Sequence, residues 1–316
     1  MKTRVMKFMK IKSIFTGILG AMLLGTVTSC HNQDVEFDDY DYQTVYFAHQ
    51  QVVRPLFLGT NIFPNEDDNN HQFQVYVTLG GIWKNSKDRK VEVKVDNDII
   101  AGKNISKVAV NGTTDPTAEL IPMPSNYYEL QNTTVTIPSG DMMGSVKVKL
   151  TDAYFNDAKS TKITYVLPLR IVSAEDSILK DKDYILYAVK LHNKYDGVWL
   201  KEDKSKASVE KYPFFNIYST TLNQVKYESE NGDLLLTFDG NDNCTISSAK
   251  DGVTVEGTGK WTFEGAGKAW GDRNRDQMDL SYTVTAADGT KKSYTEKLIS
   301  RDRGTDNRAL YFTYSE

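Results

Sequence analysis

The chain is poor in the residues that staple a fold or hold a metal. Its 316 residues include two cysteines, four histidines and eight prolines. Two cysteines cannot make a disulfide scaffold. The histidines, His31, His49, His71 and His192, are far apart, and zinc sites want clustered Cys and His. No G-x-S-x-G elbow, H-E-x-x-H helix or Cys-x-x-Cys pair occurs. The chain also lacks positive charge. Its 38 basic side chains face 42 acidic ones, for a formal charge of −4 and a pI near 5.7, whereas nucleic-acid binders are usually basic. Aromatic residues are plentiful at 11%, far more than a disordered chain carries. The length suggests two domains of about 100–200 residues each.

The first thirty residues read as an export address. Lys2, Arg4, Lys7, Lys10 and Lys12 precede an uncharged stretch, residues 13–27, that ends in Val27-Thr28-Ser29-Cys30. A basic start, a short apolar run and small residues before the cut describe a secretory signal, too short for a membrane span of about 20 residues. The cysteine after small residues resembles the bacterial lipobox, which makes Cys30 the lipidated first residue of the mature protein. Removing residues 1–29 takes away five basic and no acidic side chains, so the formal charge of the remaining 287 residues falls from −4 to −9. Cys244 is then a lone thiol. Residues 30–42, rich in Asp, read as an acidic tether. They resemble the acidic signal that sends some Bacteroidota lipoproteins to the cell surface, although only Asp34 lies within four residues of Cys30. The expected location is the outer membrane, on its surface or periplasmic face, with the membrane as a partner through the lipid.

Beyond the signal, alternation with period two dominates, and the mature chain is expected to be all-β. Residues 43–193 hold strand candidates at 72–79 (QFQVYVTL), 91–95, 133–137, 145–150, 162–172 and 184–192. Seven or so short strands with regular turns describe a β-sandwich. Residues 194–316 form a more polar meander. Its candidates are 197–200, 214–221, 224–229, 234–238, 244–248, 253–256, 259–264, 278–286, 291–299 and 310–314, with hairpin turns at Asn231-Gly232 and Ala287-Asp288-Gly289. Sequential antiparallel strands suggest an antiparallel β-barrel or a second sandwich. The early Gly197-Val198-Trp199 with a late Arg301 or Arg303 resembles the lipocalin-type barrel, where the tryptophan packs under the arginine at the closed end.

A series of motifs in the first domain carries a family resemblance. It includes Val45-Tyr46-Phe47, Arg54-Pro55-Leu56-Phe57-Leu58-Gly59, Leu79-Gly80-Gly81-Ile82-Trp83, Met123-Pro124-Ser125-Asn126-Tyr127-Tyr128, Leu150-Thr151-Asp152-Ala153-Tyr154-Phe155 and Thr164-Tyr165-Val166-Leu167-Pro168-Leu169-Arg170. Together these resemble a domain-of-unknown-function family of Bacteroidota surface lipoproteins. The resemblance implies an N-terminal immunoglobulin-like sandwich, a variable C-terminal domain and an association with SusC/SusD-like polysaccharide-utilisation systems. It supplies no catalytic or ligand-binding residues, and an association is not a mechanism.

The expected function is non-catalytic glycan binding in polysaccharide uptake. The alternative is a structural or assembly lipoprotein that binds a protein partner. A glycoside hydrolase ranks third, because its two carboxylates follow no spacing rule. Residues 239–243 (DGNDN) open like an EF-hand loop, but Cys244 and Lys250 occupy the positions of its glycine and glutamate, so a hairpin turn is expected. Glu66-Asp67-Asp68-Asn69-Asn70 reads as a solvated acidic loop. Neither a metal nor a cofactor is expected. Trp199 reads as a plug, Trp261 and Phe263 as core, and Trp83 as a half-buried strand end. Trp270 differs, because it sits in a small, polar segment that reads as flexible. Around it Asp272, Arg273, Asn274 and Arg275 supply hydrogen-bonding groups. These five residues are the candidate glycan-contact loop. The Asn-x-Ser/Thr sequences at Asn104, Asn111, Asn132 and Asn243 read as coincidental.

Overall fold

The structure, a computed structural model, describes residues 39–316 except 62, 102–107, 111–112, 116–119, 251, 304–310 and 315–316. The export signal, Cys30 and residues 31–38 of the tether lie outside the described residues, as do Asn104 and Asn111.

Two sheets form the sandwich. One runs, in spatial order, Ser177–Ile178, Thr44–Tyr46, Gln72–Gly80, Met143–Leu150 and Tyr128–Leu130. The other runs Gln51–Phe57, Tyr184–His192, Tyr165–Ala174, Arg89–Val95 and Thr134–Ile137, with Ile121–Pro122 beside Tyr165–Ala174. Alternation decides the facing. In Gln72–Gly80 the residues Phe73, Val75, Val77 and Leu79 are buried and their neighbours are not, because successive side chains of a strand point to opposite faces. They meet Leu167, Leu169, Tyr187 and Val189 of the opposite sheet in one core. Two pairings are parallel: Gln51–Phe57 lies along Tyr184–His192, and Thr44–Tyr46 along Ser177–Ile178.

The C-terminal part is a closed eight-stranded barrel. Its strands, Gly197–Lys201, Phe214–Ser219, Gln224–Ser229, Gly232–Phe238, Asn243–Ser248, Thr254–Trp270, Arg273–Thr285 and Lys291–Asp302, pair in sequence, and the last closes on the first. Of the two expected forms, barrel or second sandwich, the chain adopts the barrel. Its lumen is filled by Ile217, Val225, Tyr227, Leu234, Leu236, Phe238, Ile246, Trp261, Met278, Leu280, Tyr282 and Leu298. Eight strands leave an interior about wide enough for side chains, and these large residues occupy it. Trp199 is 1% exposed, and its indole donates to the Tyr195 carbonyl at 3.1 Å. Arg303 is the arginine at this end. Its guanidinium donates to the carbonyls of Asn193 and Lys194, and it lines with Trp199 a cavity of about 20 Å³, room for about one water.

Three expectations change. The candidates at 253–256 and 259–264 are one strand, Thr254–Trp270. Gly257 and Gly259 made it look broken, but they are needed inside it. A Cβ on Gly257 would stand 2.4 Å from Tyr282 Cβ, and one on Gly259 2.5 Å from Leu280. The strand candidate at 310–314 leaves the barrel: Phe312–Tyr314 pairs with Val108–Val110, and Tyr311 bridges Val52. Trp83 is 63% exposed rather than half-buried, since it follows the left-handed turn at Gly81.

The sandwich and barrel join through buried polar groups. His192 Nδ1 lies 3.0 Å from Asp196 Oδ2, which also accepts from the backbone N–H and hydroxyl of Ser219 at 2.7 and 2.9 Å. The carboxylate thus sits between the imidazole and the hydroxyl. In a nucleophilic triad the imidazole takes that middle place, so this cluster ties Asn193-Lys194-Tyr195-Asp196 to the barrel.

Candidate functional site

A filled lumen leaves the barrel's outside as the place for a candidate site. The hairpin of Thr254–Trp270 and Arg273–Thr285 is longer than the barrel wall. Regular pairing runs from Thr254 opposite Thr285 to Thr262 opposite Gln277. Beyond that the register shifts twice, and pairing resumes at Gly267–Arg275 and Trp270–Arg273. Glu264 and Gly267 take left-handed backbone at φ 51° and 55°, a hallmark of bulges that bend a ribbon. Gly271 and Asp272 close the tip at φ 61° and 54°. Two consecutive left-handed residues make a type I′ turn, whose twist matches the strands it joins. The segment expected to be a flexible loop is therefore a bulged ribbon.

The five candidate residues divide. Asp272, Arg273 and Asn274 are exposed and Trp270 is half-buried. Asn274 Nδ2 donates to the Glu264 carboxylate at 2.9 Å, and the Asp276 carboxylate accepts the Glu264 N–H at 3.0 Å. Arg275 turns inward and is 8% exposed. Its Nε donates to the Trp270 carbonyl at 2.8 Å and its Nη1 to the Arg301 carbonyl at 3.0 Å. Burial, and then Arg273, lower its pKa from the usual guanidinium value. Burial raises the pKa of Asp276, opposed by the Glu264 N–H. Arg275 is thus a brace between hairpin and neighbouring strand, while the other four residues face the surface or its edge.

Two residues absent from the expected site join Trp270. The guanidinium carbon of Arg301 lies 5.9 Å from the Trp270 ring centroid and 5.3 Å from that of Phe214. Cations over aromatic faces within about 6 Å are attracted by the ring quadrupole. Phe214 is 60% exposed. A signal for it was present: Phe214 and Phe215 are adjacent on one strand, so only one can face the barrel core. Phe215 does, packed on Tyr227. Phe263, expected beside Trp261 in the core, is 57% exposed. Its ring is 6.2 Å from Trp261, but the ribbon has passed the barrel rim at that point. The result is an outward platform of Phe214, Arg301 and Trp270, bordered by Arg273 and the hairpin tip.

Three further polar groups find their partners within the fold. Glu296, inside the barrel, accepts the hydroxyls of Tyr227 and Tyr282, each at 3.0 Å, and the Asn231 amide at 3.2 Å. Burial raises the pKa of both tyrosines, so they remain donors. Residues 239–243 form a hairpin turn in which Asp239 accepts the N–H groups of Asn241 and Asn243. Glu66–Asn69 is a short helix rather than a loop, and its Asp68 is buried against Arg54.

A sandwich followed by a filled barrel with an exposed aromatic–cationic face is the class that these features define. Residues 190–304 match the model of a domain of unknown function, DUF5627, and residues 40–178 match an N-terminal domain family. The resemblance to a Bacteroidota family of unknown function therefore holds. A crystal structure of a protein of unknown function from Bacteroides ovatus is 27% identical to this chain. It aligns over 87% of this chain and 100% of its own, with a TM-score of 0.71. An auxiliary nutrient binding protein from Bacteroides thetaiotaomicron is 14% identical over 78% of this chain and 90% of its own, at a TM-score of 0.36. A candidate carbohydrate binding protein from Bacteroides ovatus is 13% identical over 86% and 80%, at 0.32. The last two likenesses are too weak to carry a function. No curated protein matches this chain.

Proposed function

We propose that this is a lipid-anchored outer-membrane protein that binds a glycan without catalysis, as an accessory to polysaccharide uptake. The observation that carries the reading is the Phe214–Arg301–Trp270 platform. A pyranose ring has an apolar C–H face that stacks on an aromatic ring, and its hydroxyls need donors and acceptors beside that ring. Phe214 offers the exposed ring. Arg301, held between Phe214 and Trp270, and Arg273, Asp272 and Asn274 offer the polar groups. Large exposed apolar side chains rimmed by polar ones mark interaction sites. Cys30 supplies the anchor in this reading, and the acidic tether supplies the spacing.

The test is retention of the mature protein on native gels cast with individual polysaccharides. Retardation by a particular polysaccharide, with no fall in its chain length over time, is the expected result. If no polysaccharide retards the protein, and a pull-down from cell envelopes returns a stable protein partner, the assembly reading replaces this one.

A further inference from the structure

The sandwich carries a groove of about 690 Å³ along the edge strand Gln51–Phe57, within the range of about 300–1,000 Å³ typical of small-ligand sites. It is far larger than the cavity at the Trp199 end of the barrel. Two aromatic rings stand exposed in its lining: Phe63 at 53% and Tyr311 at 45%. The chain that carries Phe63 is braced, and the Tyr311 ring is packed. The turn bearing Phe63 is braced by Asn65, whose amide donates to the carbonyls of Phe57 and Gly59 at 2.9 and 2.8 Å. The following helix is fixed by Asp68, which accepts the Phe57 N–H at 2.9 Å and pairs with Arg54. Tyr311 lies against His49, ring centroids 4.7 Å apart, with its hydroxyl 3.3 Å from His49 Nε2. A ring already packed on a neighbour, as Tyr311 is on His49, loses little entropy when a ligand stacks on it.

The charge of the groove narrows the ligand. Among the described lining residues Arg54 is the one Lys or Arg, and Asp68 answers its charge. Glu66 and Asp67 add two exposed carboxylates. A uronate or sulfated sugar would meet these like charges, at a cost that grows as the groove excludes water. A neutral pyranoside meets no such cost. It can stack its C–H faces on Phe63 and Tyr311 and donate hydrogen bonds from its hydroxyls to the carboxylates.

We propose that this groove is a second saccharide site, selective for pyranose oligosaccharides without negative charge and separate from the barrel platform. The choice of ligand class rests on reading the protein as a glycan binder; the placement of the site does not. A chain with two such sites would hold a polysaccharide by avidity.

The test uses the mature protein on an array of neutral hexaoses (malto-, cello-, xylo- and mannohexaose) and oligogalacturonates. Wild type, Phe63→Ala/Tyr311→Ala, Glu66→Gln/Asp67→Asn and Phe214→Ala/Trp270→Ala are compared, each with its Tm recorded. The groove predicts that Phe63→Ala/Tyr311→Ala weakens a neutral hexaose at least about tenfold, the scale of lost stacking contacts, with Tm nearly unchanged. It also predicts that Glu66→Gln/Asp67→Asn admits oligogalacturonate. The proposal is overturned if Phe63→Ala/Tyr311→Ala binds every neutral hexaose as tightly as wild type, or if no neutral hexaose binds. Binding lost only in Phe214→Ala/Trp270→Ala leaves the platform standing and removes the groove. Binding lost only in Phe63→Ala/Tyr311→Ala keeps the groove and removes the platform.

Discussion

Arg275 and Arg273 are two residues apart on one strand, yet they do different things. Arg273 stands at the hairpin tip in water, while Arg275 is buried and holds two carbonyls on neighbouring strands. Arg275→Ala leaves two part-buried carbonyls without their donor, and an unsatisfied group costs about 1–3 kcal/mol when buried. Urea unfolding should therefore show Arg275→Ala destabilised by about 2–4 kcal/mol, and Arg273→Ala by less than about 0.5 kcal/mol. Residue type and spacing did not separate them, because both follow one strand's alternation and the ribbon twists between them. Cys244 is a second case. Burial pushes its thiol up to about 12, and it packs against the barrel core at 3% exposure. Thiolate is the reactive form, so a thiol reagent at neutral pH should leave the native mature protein unlabelled at Cys244 and label it after denaturation. Rapid labelling in the native state would show an opening of the barrel that this packing does not allow.

At the scale of elements, strands and turns were the legible part. Alternation placed Gln72–Gly80, and Asn231-Gly232 marked its turn at the start of Gly232–Phe238. The hairpin tip is not legible in the sequence because its signal, Gly271-Asp272, reverses the usual Asp-Gly order and the bulges at Glu264 and Gly267 destroy the alternation around it. Gly271 at φ 61° is where a side chain would strain the turn. Gly271→Ala should cost about 1–2 kcal/mol and lower platform binding through the displaced Trp270, read together as Tm and gel retardation. In the sandwich, Arg170 bridges Asp96, at 2.5 Å, and Asp183. The Arg170 hydrogen bond holds Asp96 below the usual carboxylate range. A depressed carboxylate contributes stability that is present above its unfolded pKa of about 3.9 and is lost as pH falls through its folded value. Between about pH 5 and pH 2 the wild type should thus lose more Tm than Arg170→Gln, whose Asp96 has no such cation. Equal losses would remove Arg170 as the cause.

For the whole molecule, the all-β plan is legible because the strands repeat a simple alternation, and Gly197-Val198-Trp199 lies on the first barrel strand. The identity of the closing arginine was not readable. Arg301 and Arg303 are equally spaced for it, and only the closed barrel sends Arg303 to the Asn193 and Lys194 carbonyls and Arg301 to the outer aromatic face. The decisive feature for function is likewise a property of the closed barrel. Its lumen is filled by its own side chains, so the proposed recognition site lies on the outside, at Phe214, Arg301 and Trp270. The most direct measurement of that claim compares wild type with Phe214→Ala/Arg301→Ala on an affinity gel containing the polysaccharide that retards the wild type. The double variant should be retarded less than wild type, with Tm within a few degrees of wild type, since both side chains lie outside the core (about 2–4 °C per kcal/mol for this size). Undiminished retardation of the double variant would contradict the claim.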